Sequence, residues 1–168
     1  MLQYRLAVLG DCATQHLSSA IKGYCFTQGI GLDVYDADYD QIRAQIFDTD
    51  SQLYGFKPQA VLIFMCTQRL YEEFCETDIS ARASFADDTY NKIVSFWNML
   101  GRNSDANILQ FSFAVRDDGV FGNYGQSVTT SFAYQIRKLN YLMMEGCAQH
   151  KNVFLLDLNE IASRLSAS

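Results

Sequence analysis

The chain has 168 residues and a mass of 19.1 kDa, which suits one domain with a substantial hydrophobic core. Hydrophobic residues make up 49% and aromatic residues 14%, a composition that excludes a disordered chain. The net charge of −6 and the pI near 4.7 exclude the basic stripe with which proteins bind duplex nucleic acid. We therefore expect a single acidic domain over residues 1–168 that binds no nucleic acid.

Membrane insertion, secretion and a zinc site are also disfavoured. No apolar run approaches the roughly 20 residues of a membrane-spanning helix, and the apolar run near the N-terminus is too short for a signal peptide. The cysteines are odd in number and form no Cys-x-x-Cys pair, and His16 and His150 lie far apart in the sequence. We expect a cytoplasmic protein with reduced thiols, no membrane partner and no structural metal.

Taken in chain order, the sequence divides into five strand-then-helix units. The first apolar run, residues 4–9, predicts a strand that ends at Gly10-Asp11-Cys12. The third is a continuous β-branched and aromatic run, which is typical of a central parallel strand covered on both faces. Strands are predicted over residues 4–9, 32–35, 60–65, 107–113 and 153–156.

Helical spacing follows each strand. After the first strand, apolar residues three and four apart predict a helix face of Leu17, Ala20, Ile21, Tyr24 and Cys25. Residues 36–54 predict one or two short helices, and residues 67–83 predict a loop or a small insertion with a helical turn. Longer helices are predicted over residues 84–100, ended by Gly101, and 128–149, with a final helix after Asp157.

This alternation predicts an α/β fold of the three-layer, flavodoxin-like type. Parallel strands joined by helices need right-handed crossovers, and the default order for five such units is 2-1-3-4-5. Ligands gather where that order reverses, between strands one and three. The candidate binding residues there are Gly10, Asp11, Cys66, Thr67, Gln68, Ser112 and Ala114, with Asp157 after strand five.

Cys12 is the candidate nucleophile. A thiol at the start of a helix is favoured as a thiolate by the free amides and the helix dipole. His16 lies one helical turn further on and is the candidate base. The alternative is that Cys12 is a small residue in a turn and His16 a partly exposed helix residue.

Three other patterns have structural explanations. Asp48-Thr49-Asp50 resembles the paired aspartates of haloacid-dehalogenase-type phosphatases, but it follows a helical pattern rather than a buried strand. We therefore expect no phosphatase core here, with Asp50-Ser51 capping the next turn. The acidic run over residues 33–40 predicts a solvated face rather than a metal site. The glycine-rich loop over residues 116–125 is long for its position, which suggests a cover over a pocket or a surface that faces a partner.

Gly10-Asp11-Cys12 resembles the first motif of the SGNH/GDSL hydrolases, Gly-Asp-Ser, with cysteine in place of the nucleophilic serine. Three longer segments resemble the N-terminal domain of FkbH-like proteins. These are residues 9–15 (Leu-Gly-Asp-Cys-Ala-Thr-Gln), 35–41 (Tyr-Asp-Ala-Asp-Tyr-Asp-Gln) and 50–61, which contains Ser-x-Leu-Tyr-x-Phe-x-Pro.

The FkbH resemblance implies an SGNH-like domain that precedes a haloacid-dehalogenase-type catalytic domain, in proteins linked to polysaccharide or polyketide assembly. It implies that domain as a partner, together with an acyl carrier protein or a small-molecule substrate, and no cofactor in this domain. The chain departs from the SGNH pattern: residues 66–69 replace the oxyanion Gly-x-Asn, and Glu160 stands where the late motif has histidine. Without that base, ester hydrolysis should be severely weakened.

Three functions follow as hypotheses. The first is an accessory domain that binds substrate or partner. The second is an esterase or thioesterase that uses Cys12 with His16 or with a base beyond residue 168. The third is a flavin- or nucleotide-binding module, which the absence of phosphate-binding glycines after strand one disfavours.

Overall fold

The computed structural model describes residues 2–116 and 118–166. Its strands form one five-stranded parallel sheet in the order β2-β1-β3-β4-β5, as the sequence predicted. The first two strands are longer than predicted, because their pairing runs from Leu2 and Ile30 to Val8 and Asp36. The strands are β1 (Leu2–Gly10), β2 (Ile30–Asp36), β3 (Ala60–Phe64), β4 (Asn107–Phe111) and β5 (Val153–Leu156).

Helices follow every strand. Among the described residues, none of these helices is long and apolar enough to cross a lipid bilayer. Two 3₁₀ helices, η1 (Ile79–Ser84) and η2 (Gly122–Ser127), add to the α-helices. The α-helices are α1 (Gln15–Thr27), α2 (Ile42–Phe47), α3 (Gln52–Phe56), α4 (Thr67–Glu76), α5 (Phe85–Asn103), α6 (Phe132–Gln149) and α7 (Leu158–Ser166).

Several predicted bounds were wrong. Residues 67–83 form α4 and most of η1, which is more helix than the predicted loop or small insertion with a helical turn. Leu70 and Phe74 lie four apart and are both buried on one face of α4. Helix α5 continues through Gly101 to Asn103. Helix α6 begins four residues later than predicted, where the Ser131 hydroxyl accepts a hydrogen bond from the Tyr134 amide (3.1 Å) and caps the helix.

Helix α1 is less buried than its spacing predicted. Ser18 is its buried residue, and the predicted face is split between half-buried and exposed positions. Tyr24 is 69% exposed. The half-buried residues are Leu17, Ile21 and Cys25, and Ala20 is exposed with Tyr24.

The described chain consists of two compact units. The first comprises the residues up to Met65 with Phe96–Gln110 and Asn152–Phe154. The second comprises Cys66–Ser95, Phe111–Lys151 and the residues from Leu155 onward. In the first unit, side chains of β1 and β3 and of the end of α5 are almost fully buried, including Val8, Leu9, Val61, Ile63 and Trp97.

The Ser-x-Leu-Tyr-x-Phe-x-Pro segment belongs to the first unit and has a structural role. The Ser51 hydroxyl donates to the Gln45 carbonyl oxygen and the Tyr54 hydroxyl to the Ile46 carbonyl oxygen, both at 2.7 Å. These carbonyls are among the last of α2 and lack partners within that short helix. Leu53 is fully buried between the two hydroxyl-bearing residues. The motif therefore fastens α3 to the end of α2.

In the second unit, the fully buried Gln135 connects three segments. Its Oε1 accepts a hydrogen bond from the Ala86 amide (2.8 Å), and its Nε2 donates to the carbonyl oxygens of Ala83 (3.2 Å) and Thr129 (2.5 Å). Because a buried amide without partners costs free energy, these bonds specify how α6 contacts the start of α5.

Candidate functional site

The turn after β1 lies at the carboxyl ends of β1 and β3. Gly10 is in register with Phe64, and the Asp11 amide donates a hydrogen bond to the Phe64 carbonyl oxygen (3.3 Å). Asp11 is buried, with 8% of its surface exposed, and Cys12 is half-buried. Buried polar side chains at such an edge are where chemistry is expected in a parallel sheet.

Packing explains why residue 10 is glycine. A Cβ atom at this position would lie 2.4 Å from Cγ2 of Thr14 and 3.1 Å from the Cys12 carbonyl oxygen. The first separation is far below a van der Waals contact. Thr14 is itself almost fully buried, with 2% exposure. The glycine thus allows Thr14 to approach the end of β1.

Asp36 forms a polar cluster with Thr14 and Ser18. The Thr14 hydroxyl donates to Oδ1 of Asp36 (2.5 Å), and the Ser18 hydroxyl donates to Oδ2 (2.7 Å). Both hydroxyls are buried and on or next to α1, and Asp36 ends β2. The prediction of a solvated acidic face was wrong for Asp36. The sequence feature that could have indicated these bonds is the spacing of Thr14 and Ser18, which lie four residues apart at the start of a helix.

The structure separates Cys12 from α1. The N-cap of α1 is Thr14, so Cys12 precedes the helix, and His16 is its second residue. The spacing rule that places residues i and i+4 on one helix face therefore does not apply to this pair. His16 is exposed and, among the described residues, forms no hydrogen bond or ion pair. Nucleophile and base roles for Cys12 and His16 stay predictions.

Cys66, Thr67 and Gln68 start α4, in the second unit. Cys66 is the N-cap and half-buried. The Thr67 hydroxyl donates to the Ala114 carbonyl oxygen (3.1 Å), and the side-chain Oε1 of Gln68 accepts from the Arg116 guanidinium. Thr67 and Gln68 thus form hydrogen bonds with the segment after β4. Their binding roles stay predictions.

Ser112 and Asp157 contact each other in the second unit. The Ser112 hydroxyl donates to Oδ1 of Asp157 (3.3 Å) and accepts from the Leu158 amide (3.0 Å). Oδ1 of Asp157 also accepts from the amides of Asn159 (2.9 Å) and Glu160 (3.4 Å). This is the bonding of an N-cap aspartate at the start of α7. Glu160 pairs with Arg164 one turn along the same helix (2.5 Å).

Two asparagines that sequence reasoning did not select hold the backbone after β4. Asn140 accepts from the Phe113 amide (2.9 Å) and donates to the Phe113 carbonyl oxygen (2.8 Å). Asn159 donates to the same carbonyl oxygen (3.0 Å) and accepts from the Val115 amide (2.8 Å). Asn159 lies between Asp157 and Glu160, the two positions that the sequence had pointed to. Asn140 carried no signal, because it lies within a helical pattern.

The glycine-rich loop lies in the second unit, with Asp117 outside the described residues. Gly119 and Gly122 have φ angles of +73° and +52°, a backbone region that favours glycine. Between them, Val120 is 66% exposed and Phe121 is 44% exposed. The loop therefore carries two large apolar side chains at the surface, which fits a binding role better than a purely connecting one.

The cysteines differ in their chemical environment. Burial raises the pKa of the Cys147 thiol to about 11, so this thiol stays protonated at neutral pH and is a poor nucleophile. All five cysteines lie in the described part of the chain, and none of them forms a disulfide there. Cys12 after β1 and Cys66 after β3 are both half-buried.

Comparisons with known proteins place the chain in a family. The family model described as "FkbH, N-terminal domain" matches residues 5–167. A solved structure, the N-terminal part of the protein BF1531 from Bacteroides fragilis, is similar with 30% identity and a TM-score of 0.88. The match covers 98% of this chain and 43% of that chain, which is described as containing a phosphatase domain and complexed with Mg.

The present chain thus spans less than half the length of that solved relative. No curated protein matches it. The matched region contains the Gly10-Asp11-Cys12 turn, the Ser51–Pro58 segment and the N-cap at Asp157. The chain belongs to the FkbH N-terminal domain family.

Proposed function

We propose that this chain is the N-terminal, non-hydrolytic binding domain of an FkbH-like protein with a haloacid-dehalogenase-type phosphatase domain. Membership of the FkbH N-terminal family and the phosphatase domain named for the solved relative support this proposal. The domain would bind the phosphatase domain, an acyl carrier protein or a small substrate. The wider process would be polysaccharide or polyketide assembly, in the cytoplasm.

The bonding of Asp157 is the observation that carries the non-hydrolytic part of the proposal. In a Ser-His-Asp triad, the aspartate orients the imidazole and stabilises its charged form. Here Oδ1 of Asp157 accepts from Ser112 and from the first amides of α7. Glu160, which stands where SGNH hydrolases have a histidine, pairs with Arg164. Both residues therefore serve helix α7.

A hydrolase that uses Cys12 is the second candidate. The half-buried Cys12 thiol and the buried Asp11 at the carboxyl edge of β1 favour it. In that reaction the thiolate would attack the acyl carbon and expel the alcohol or thiol, and water would then release the acid from the acyl-cysteine. His16 would take the thiol proton in that reaction.

Hydrolysis of activated esters and acyl thioesters distinguishes the two candidates. The wild type, Cys12→Ala and the control Cys25→Ala, another half-buried cysteine of the same unit, are assayed side by side. We expect no turnover above the blank, or turnover that Cys12→Ala leaves unchanged. Turnover that Cys12→Ala abolishes and Cys25→Ala retains would contradict the proposal and establish the hydrolase.

The binding part of the proposal has its own test. The chain is titrated by calorimetry with a separately expressed FkbH-like phosphatase domain and with an acyl carrier protein. Saturable binding to either one supports the proposal. A folded chain that binds neither, and that does not change the phosphatase rate when added, would contradict it.

A further inference from the structure

A cleft lies within the second unit. It has a volume of about 360 Å³ and lies between α4, η1, the loop after β4 and the start of α6. We call it the Arg82 cleft. Its walls include Tyr71, Phe74, Phe121 and Phe132, with Arg82 and Asp118 as its charged groups. Mostly apolar walls with a few placed polar groups are typical of small-molecule sites.

Arg82 is held in one orientation. Its Nε donates to the Thr77 carbonyl oxygen (3.1 Å) and its Nη2 to the Cys75 carbonyl oxygen (3.2 Å). The guanidinium carbon also lies 4.7 Å from the centre of the Phe74 ring. Within the described part of the chain no carboxylate pairs with Arg82, so the donors on Nη1 are available to an anion. A pre-oriented guanidinium loses little entropy when it binds a carboxylate.

The apolar floor of the cleft is a packed aromatic group. Phe132 lies 5.0 Å from Tyr71 and 5.3 Å from Phe74, measured between ring centres. Phe132 and Phe74 are buried, whereas Phe121 on the glycine-flanked loop is 44% exposed. The cleft thus has a rigid aromatic side and a loop side whose apolar surface a ligand would remove from water.

Asp118 limits the charge that the cleft accepts. Its Oδ1 accepts from the Val120 amide (3.1 Å), and its side chain lines the same cleft as Arg82. A second negative charge on the ligand would meet this carboxylate in a partly water-excluded space, where like charges repel more strongly than in water. The cleft therefore favours a monoanion over a phosphate dianion.

We propose that the Arg82 cleft binds a small monocarboxylic acid with an aromatic or branched apolar body. The carboxylate accepts from Nη1 of Arg82, and the apolar body lies between Phe132 and Phe121. This site does not depend on Cys12 or on the proposed function, because no residue of the turn after β1 contributes to it.

Calorimetric titration of the chain with 3-phenylpropionate tests the proposal, with 3-phenylpropionamide and phenyl phosphate as comparison ligands. We expect saturable binding of the carboxylate and binding of the neutral amide and of the dianion that is weaker by about tenfold or more. Phe121→Ala, which removes an exposed side chain, should weaken the carboxylate about tenfold. Arg137→Gln, an exposed arginine outside the cleft, should leave it unchanged.

Arg82→Gln should abolish carboxylate binding, but it also removes bonds to two backbone carbonyls and can destabilise the fold. Phe121→Ala therefore serves as a second test of the binding site, because it removes an exposed side chain. No saturable binding by the wild type, or equal binding by the wild type and Phe121→Ala, would overturn the proposal. Equal binding of the carboxylate and the amide would overturn the role of Arg82.

Discussion

Gly10, the first residue of the Gly-Asp-Cys turn, has a role in packing. Its missing side chain lets Thr14 lie against the end of β1, and Thr14 in turn donates to Asp36 at the end of β2. The glycine of the Gly-Asp-Cys turn is thus part of the contact between β1, α1 and β2. The glycine of this turn thus has a packing role that requires no hydrolytic activity.

Gly10→Ala should lower the free energy of unfolding by about 1–3 kcal/mol, because the new methyl group overlaps Thr14 and approaches the Cys12 carbonyl oxygen. Chemical denaturation measures this change. Gly23→Ala is the control: a Cβ there meets nothing within 4 Å and lies inside α1, so it should raise stability by up to about 1 kcal/mol. A Gly10→Ala protein as stable as the wild type would contradict the packing explanation.

Amino-acid composition does not show which polar residues of this chain are buried. Gln135 and Gln110 are fully buried, and Gln110 accepts a hydrogen bond from the Trp97 indole (3.2 Å). The residues next to either glutamine in the sequence do not predict that it is buried. A glutamine is expected at the surface, and it can be buried only where distant segments supply its hydrogen-bond partners.

At the scale of elements, the Ser51–Pro58 segment is the most specific part of the family resemblance, and its hydroxyl groups bond the last carbonyls of α2. Burial raises the pKa of the Tyr54 phenol, so this hydroxyl remains a donor at neutral and moderately alkaline pH. Short helices such as α2 and α3 are marginal alone and depend on such contacts.

Tyr54→Phe should lower the free energy of unfolding by about 1 kcal/mol, since it leaves the Ile46 carbonyl oxygen without its side-chain donor. Tyr24→Phe, on the exposed surface of α1, is the matched control and should change stability by less than about 0.5 kcal/mol. Thermal or urea denaturation of both variants measures the difference. Equal losses in the two variants would show that the Tyr54 hydroxyl has no structural role.

Helix α4 shows why element prediction failed where charge is dense. Its buried face is narrow, with Leu70 and Phe74, and the remaining positions are polar or exposed. The Gln68–Glu72 hydrogen bond (3.0 Å) and the contacts of Thr67 with the segment after β4 add to the helix. Of the two hydrogen-bond contributions, only the Gln68–Glu72 bond joins residues that are close in the sequence. The Thr67 contact involves a distant segment.

At the scale of the whole molecule, the sheet order follows from alternation alone, and β3 is central in it, paired with β1 and β4. Leu62 of β3 is in register with Val8 and Leu109 and is 2% exposed. A central parallel strand is covered on both faces of the sheet, so its side chains are buried whichever face they point to. The stability of the fold should therefore depend strongly on this strand.

Leu62→Ala should lower the free energy of unfolding by about 2–5 kcal/mol, through lost burial and the cavity left behind. Leu2→Ala, at the exposed start of β1, should change it by less than about 0.5 kcal/mol. Guanidinium denaturation measures both, and a matching loss in the two variants would contradict the central role of β3.

The sequence by itself determined the fold class, the strand order and the FkbH family. Each of these depends on local periodicity, composition or contiguous motifs, which a chain displays before it folds. It also located the turn at Gly10-Asp11-Cys12 and the unusual loop at residues 116–125.

Only the tertiary structure decided which polar groups meet. The bonds of Asp36 to Thr14 and Ser18, and the bond of Ser112 to Asp157, join residues that lie far apart in the chain. The Arg82 cleft likewise needs α4, η1 and the loop after β4 together. Such contacts depend on how elements pack, since side-chain hydrogen bonds form only where burial brings donors and acceptors within about 3 Å.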